Sequence, residues 1–489
     1  MNERLDKLQQ QRLERLDLLR EMGIDPYGKR VDDIELNADI RGRFVEDAAD
    51  QTAKSAGRIV LLRDIGKLIF ITLRDSTGKL QIGLNKKRLT DNDWLLAKKL
   101  ELGDIICAKG ELGLTKTGEL TIWAEEITFM SKALEQPPEK FHGLQDTDAR
   151  YRQRYVDLWA NPEVMERFRK RSAMVATIRQ LLTSKGFCEV ETPMMQSIAG
   201  GAAAKPFTTH HNSLDLDLYM RIAPELFLKR LLVGGFEKVF EINRSYRNEG
   251  LSTRHNPEFT MMELYQAYTD YNGMMDIAEE IISTLIDSHC DGKVLPFGDM
   301  EIDYSRPWRR ATYAELLKAH SGCDIDDLPA IRAKARELGI KEEGLDDYVV
   351  INEVFEETVE EHLINPTFVI DYPAPLCPLT RRKADNPDIA ERFELFVAKM
   401  ELGNAYTELN DPAVQEENFR TQLQGQEETM ATMDEDFINA LRYGMPPAGG
   451  LGIGIDRLIM LLTNATSIRD VILFPLLKPH TKKIAADGE

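Results

Sequence analysis

Apolar and polar positions divide the chain into two regions of different period. Between residues 51 and 135 the alternation has a period of two. It runs through "GRIVLLRDIG", "KLIFITLRD", "GKLQIGL", "DIICAKGELGLTKTGEL" and "TIWAEEITFM", with Gly, Asp and Thr turns between the runs. That pattern predicts short strands. One helical piece, "DNDWLLAKKLEL", falls between the third and fourth run. Five strands with a helix after the third is the order of an OB-fold barrel. In "LIFITLR" the alternation puts Ile69, Ile71 and Leu73 on one face and Phe70, Thr72 and Arg74 on the other. In "KLQIGL" it turns Leu80, Ile82 and Leu84 inward and Gln81 outward. A Phe between Thr and Arg on a polar face is a platform on which a base can stack; the structural alternative is an aromatic covered by the N-terminal helix.

Before this region, "MNERLDKLQQQRLERLDLLREMG" has helical period and ends at Gly23. After it, "KALEQPPEKFHGLQDTDARYRQRYVDLWANPEV" is a charged connector with three prolines, so a boundary is expected near 136–144. The next helix is predicted over 162–185, followed by an apolar strand in "GFCEVETPMM" that stops at Pro193. Strands are expected up to about Tyr271, helices over 274–287 and much of 313–363, and strands again from Phe368 to Leu409.

At 489 residues the chain is long enough for two cores of unequal size. Its formal net charge of −20 argues against a general polyanion binder, but the charge is uneven. Residues 51–100 carry 11 Lys and Arg against 4 Asp and Glu, whereas residues 391–440 carry 3 against 12. The first stretch suits phosphates and the second suits cations. Cys107, Cys188, Cys290, Cys323 and Cys377 lie far apart, which predicts reduced thiols and neither disulfides nor a zinc site. No apolar run approaches the ~18 residues of a membrane span, and the N-terminus lacks a signal-peptide core. A cytoplasmic protein with no membrane partner is expected.

The chemistry gathers in three segments. Near the end of "EINRSYRNE", alternation turns Arg247 and Glu249 the same way. On the returning strand Phe259, Met261, Glu263 and Tyr265 share a face. The connection "GLSTRHNP" between them is too long for a tight hairpin and is cationic, with Arg254 and His255. In "ERFELFVAKMELGNAYTELND", Asn404, Tyr406 and Glu408 share one face and Glu394 and Glu401 lie just upstream. Two carboxylates without a nearby cation are ordinary ligands for Mg²⁺, which completes its shell with water and phosphate. "GLGIGIDRL" is a Gly-rich strand that enters a helix with Arg457 in its first turn. No GxxxxGK occurs, so this is not a P-loop. Each segment alone is ordinary. Together they supply arginines for phosphates, an aromatic for a purine and carboxylates for a divalent metal, an ATP site on an antiparallel sheet.

The segment "YRNEGLSTRHNPEFTMMELY" resembles motif 2 of the class II aminoacyl-tRNA synthetases, "GFCEVETP" their motif 1 and "GLGIGIDR" their motif 3. With the barrel in front, the chain resembles the lysyl, aspartyl and asparaginyl subgroup. "KFHGLQDTDARYRQRYVDL", "GGAAAKPF", "RIAPELFLKRL" and "ELGNAYTELND" are most similar to the bacterial lysyl family. The resemblance implies an α+β protein: an N-terminal helix and lead-in over 1–50, a five-stranded OB-fold anticodon-binding barrel over 51–135, a linker over 136–150, and over 151–489 a catalytic domain on a mainly antiparallel sheet flanked by helices.

It also implies roles. Arg247 would bind the amino-acid carboxylate side and the α-phosphate. Glu249 and His255 would contact ATP, Phe259 would stack on adenine and Arg457 would hold the γ-phosphate. Glu394 and Glu401 would carry Mg²⁺, about two or three ions per subunit with ATP. Gly201 and Glu225 would hold the substrate α-ammonium, and Glu263, Tyr265, Asn404 and Glu408 would set specificity. In the barrel, Phe70, Gln81 and Glu126 would read the anticodon. The implied partners are ATP, L-lysine, tRNA(Lys) and a second copy docked through motif 1. The residues themselves favour lysine on one further count. Two buried carboxylates, Glu263 and Glu408, must find a cation, and an ε-ammonium with three donors suits them. The alternatives are an aspartyl or asparaginyl enzyme, which needs a cation in that pocket, a paralogue that lysylates a protein, which lacks the barrel, and a non-catalytic OB-fold RNA-binding paralogue, which would have lost a motif arginine or metal carboxylate.

Overall fold

The computed structural model describes residues 2–135, 144–201, 204–424 and 433–479. They divide into two units, Met1–Gln145 and Asp146–Glu489. The expected linker therefore lies outside the described residues over 136–143.

In the smaller unit, strands Thr52–Asp64, Leu68–Arg74, Lys79–Asn85, Ile105–Leu114 and Leu120–Ser131 close a barrel, with the helix Asp91–Ala97 after the third. Closure leaves no unpaired sheet edge. Ile69, Ile71, Leu73, Leu80, Ile82 and Leu84 fill its core, as the alternation predicts. The N-terminal helix Asn2–Glu21 places Leu19 in that same core. Its Arg12 donates to the carbonyls of Ala133 and Leu102 at 2.7 and 3.0 Å.

The larger unit is built on eight strands in the order Arg309–Thr312, Thr367–Pro373, Ile389–Val397, Met400–Thr407, Ala448–Gly454, Glu258–Ala267, Lys238–Tyr246 and Cys188–Glu189. The six central strands run antiparallel, and each outermost strand is parallel to its neighbour. Helices Pro162–Ser184 and Tyr271–His289 supply Met174, Ile178, Leu182, Met274 and Ile282 to the core beneath the sheet. A second core gathers helices Tyr313–Ser321 and Asp347–Val359 against the far edge of the sheet.

One expectation changes. "GFCEVETPMM" is not one apolar strand: its sheet pairing is limited to Cys188 and Glu189, both exposed, and Met195–Gln196 joins a separate three-stranded sheet. The strand ends short of the expected stop at Pro193, and with Cys188 and Glu189 both exposed it buries no apolar face. The apolar stripe Val164, Phe168, Met174, Ile178 and Leu182 is buried within its own unit, so it offers no free apolar face to a partner.

Candidate active site

A cavity of about 580 Å³ opens on the larger sheet. Its floor is the glycine strand Ala448–Gly454, flanked by Glu258–Ala267 on one side and Met400–Thr407 on the other. Glycine is required here by close approach. A Cβ at Gly450 would lie 2.0 Å from Glu408 Oε1 and 2.5 Å from the Tyr265 ring. Gly201, Glu225, Arg247, Glu249, His255, Phe259, Glu263, Tyr265, Glu401, Asn404 and Arg457 all line the cavity. Glu394 and Glu408 are not among its lining residues.

Phe259, Met261, Glu263 and Tyr265 line the cavity while Met262 and Leu264 enter the core, so the strand alternates as read. Arg247 and Glu249 lie outside the strand, which ends at Tyr246. Arg247 is held there by its N–H, which donates to Pro257 O at 2.9 Å across the mouth of the loop. Its guanidinium lies 5.2 Å from the Phe259 ring centroid, and its buried Nε has no partner among the described residues. An unpaired buried donor of this kind suits a carboxylate or phosphate oxygen.

Arg457 opens the helix Ile455–Leu462. Asp456 fixes that start: it accepts from Arg171 at 2.6 Å and from the Thr260 N–H at 2.7 Å. One Arg457 nitrogen donates to Glu401 O at 2.5 Å and the other lies 3.0 Å from His255 Nε2. Burial, then the Arg457 charge, holds the His255 pKa below its usual value, so the neutral ring accepts from Arg457. The loop is tied down where Thr253 O accepts from the Ile468 N–H at 2.8 Å.

The two carboxylates expected to stand free of cations do not. Arg392 contacts Glu394, whose other oxygen accepts from Tyr372 at 2.8 Å, and Arg457 is 3.6 Å from Glu401. Arg392 also donates to Asn404 Oδ1 at 3.1 Å. Even so, burial pushes Glu394 up to about 7; Arg392 opposes this and Glu401 adds to it. Glu360, which the sequence reading did not single out, is raised to about 7 by burial, Glu356, Glu394 and Glu401. Among the described residues no group of three His, Cys, Asp or Glu gathers as a complete metal shell. A site of this kind fits an ion that takes few protein oxygens.

At the other end of the cavity Glu263 is buried and accepts only from the Tyr265 hydroxyl, at 3.1 Å, among the described residues. Burial, reinforced by Glu225, pushes it up to about 8. Glu408 is also buried, and its Oε1, above Gly450, has no hydrogen-bond partner among the described residues. The sequence reading missed Lys229. This residue is fully buried, donates to Glu225 Oε1 at 2.7 Å and forms an ion pair with Glu408. The signal that could have found it is the i,i+4 spacing of Glu225 and Lys229 in "PELFLKR".

In the barrel, Phe70 is half-buried with its ring 5.9 Å from that of Trp123 at an interplanar angle of 65°. Trp123 itself lies against Gly83, where a Cβ would come within 2.6 Å of the indole. Gln81 donates to Thr121 Oγ1 at 2.9 Å and Glu126 is exposed. The aromatic surface is thus a pair, not the single Phe read from the sequence.

A mainly antiparallel sheet whose cavity is lined by Arg247 on a loop and Arg457 on a helix start matches a class II synthetase architecture. The family pattern described as "tRNA synthetases class II (D, K and N)" matches residues 146–478, and that of the "OB-fold nucleic acid binding domain" matches residues 54–130. The lysine--tRNA ligase of Carboxydothermus hydrogenoformans is 53% identical, covering 98% of this chain and 99% of its own. Those of Pelotomaculum thermopropionicum and Magnetococcus marinus are each 51% identical, covering 98% and 95% of this chain and 96% and 95% of their own. The chain belongs to the lysine--tRNA ligase family of class II synthetases.

Proposed function

We propose that the protein activates L-lysine with ATP to lysyl-adenylate and pyrophosphate, then transfers the lysyl group to the 3′ end of tRNA(Lys). The observation that carries the choice of amino acid is Glu263, a buried carboxylate in the cavity wall with no cation against it among the described residues. The substrate ε-ammonium supplies that charge, with Tyr265, Asn404 and Glu408 around it. An aspartyl or asparaginyl pocket would need a free cation there, and Lys229 is already committed to Glu225 and Glu408.

In the first step the lysine carboxylate attacks the α-phosphorus in line with the departing pyrophosphate. In the second a terminal ribose hydroxyl of tRNA attacks the mixed anhydride and AMP departs. Neither step needs a protein nucleophile. Arg247 lies between the carboxylate and α-phosphate positions, Arg457 takes the γ-phosphate, Glu249 and His255 contact the nucleotide and Phe259 underlies the adenine. The gain comes from positioning and from charge placed where charge develops. Gly201 and Glu225 hold the α-ammonium. Glu394 and Glu401 would hold Mg²⁺, which supplies neutralisation of phosphate charge. Phe70, Gln81 and Glu126 read the anticodon, joined by Trp123.

No helix among the described residues is long and apolar enough to cross a membrane, and the five cysteines are free; we assign the protein to the cytoplasm. It acts as a homodimer through the motif 1 region, by way of the polar side of helix 162–184 because the apolar stripe is internal.

Pyrophosphate exchange with each of the twenty amino acids tests the assignment. Lysine alone, with Mg²⁺, should support exchange; exchange with aspartate or asparagine would overturn it.

A further inference from the structure

Behind Glu225, at the lysine end of the cavity, lies a cation to which the reaction assigns no role. Lys229 lies on the helix Glu225–Val233 with no exposed surface. Its ammonium donates to Glu225 Oε1 at 2.7 Å, pairs with Glu408 and lies 5.4 Å from the Tyr406 ring centroid. The Tyr406 hydroxyl donates to the same Glu225 oxygen at 2.7 Å. Three buried carboxylates, Glu225, Glu263 and Glu408, therefore converge from three elements. Among the described residues Lys229 is the one cation within ion-pair distance of any of them.

The other titratable groups facing this cluster are the Tyr265 and Tyr406 hydroxyls, both held neutral by burial and by the carboxylates. Arg221 is nearby but is spent on Glu241 at 2.7 Å. Three carboxylates and one fixed ammonium leave a deficit of two positive charges. Free lysine brings two ammonium groups, its own carboxylate being directed to Arg247. With Lys229 the pocket and substrate balance. Without it, one carboxylate has no counter-charge and keeps a proton, because an isolated buried carboxylate neutralises itself.

Building on the lysine-site reading above, we propose that Lys229 is a positioning and specificity residue. It fixes Glu225 and Glu408 in place and sets one positive charge beside them, and so sets the charge deficit that selects an amino acid with a second ammonium group.

The test is lysine-dependent pyrophosphate exchange by the full-length protein between about pH 6 and about pH 7.5, a range in which both substrate ammonium groups stay charged. In Lys229→Met the lysine KM should rise about tenfold or more, the effect of one unit of displaced pKa, because the carboxylate that loses its counter-charge holds its proton more tightly and binding must expel it; the ATP KM should stay unchanged. The double variant Lys229→Met with Glu408→Gln restores the two-charge deficit and should bring the lysine KM back toward wild type. A folded Lys229→Met protein with wild-type lysine KM, or a double variant whose lysine KM stays as high as that of Lys229→Met, would overturn the proposal. If Lys229→Met does not fold, the double variant decides: a folded double variant with a lysine KM near wild type supports the proposal, and failure to fold makes the pair purely structural and overturns it. A wild-type protein without lysine-dependent exchange would instead remove the lysine-site reading itself.

Discussion

Glu263 shows why a residue's chemistry depends on its surroundings. Its carboxyl is pushed up to about 8 by burial and by Glu225, so below that pH the pocket holds a proton where, on the proposed reading, the substrate ammonium sits. The sign follows directly. A raised carboxyl favours the folded protein at low pH, and that contribution is lost as pH rises through about 8. Lysine binds the ionised form and compensates. Its KM should fall between about pH 6 and pH 7.5, where both substrate ammonium groups stay charged, and the rise in melting temperature given by saturating lysine should be larger at the higher pH. Differential scanning fluorimetry beside pyrophosphate exchange measures both. A lysine KM independent of pH would mean that Glu263 does not meet the ammonium. Glu263→Gln should flatten the dependence and weaken lysine use by about 3–5 kcal/mol, the usual cost of breaking a buried pair from one side. Gly450→Ala should also impair lysine use, because its methyl would come within 2.0 Å of Glu408 Oε1. Overpacking costs about 1–3 kcal/mol, and here it should appear as a raised lysine KM with the ATP KM little changed. At this scale the alternation of Phe259, Glu263 and Tyr265 was legible in the sequence. Lys229 was not singled out, since its role depends on Glu408 being brought to it from 179 positions away.

At the scale of elements, the glycine strand, the two flanking strands and the loop 247–257 form the site together. Arg457 depends on Asp456, which ties the first turn of its helix to both Arg171 and the Thr260 backbone. In the barrel the element proposed to meet RNA is the outer face of Leu68–Arg74, with Trp123 beside Phe70. Phe70→Ala should leave lysine-dependent pyrophosphate exchange intact and weaken tRNA charging by ~1–3 kcal/mol, the worth of one stacked base. Filter binding of tRNA beside the exchange assay distinguishes this from a folding defect: equal damage to both half-reactions would show that Phe70 serves the barrel and not the RNA. The two-residue period placed Phe70 on the outer face, but the ladder that sets Gly83 opposite Trp123 could not be read from either strand alone.

At the scale of the molecule, light scattering over a dilution series should give twice the subunit mass. The burial of Val164, Phe168, Met174, Ile178 and Leu182 within one subunit means that the pairing surface must be found elsewhere on that helix and its surroundings; a monomer with full pyrophosphate exchange would overturn the dimer. The order of elements follows from the sequence by itself: a five-run barrel with one helix, then helices alternating with antiparallel strands. So does the supply of arginines, carboxylates and glycines in three segments, because period, turns and residue chemistry are local properties. Tertiary structure alone decided which charges are satisfied. Arg392 beside Glu394, Lys229 beside Glu225 and Glu408, and Glu263 with only a hydroxyl among the described residues are outcomes of strand register and burial. Electrostatic energy depends on distance and on exclusion of water, and neither quantity is written along the chain.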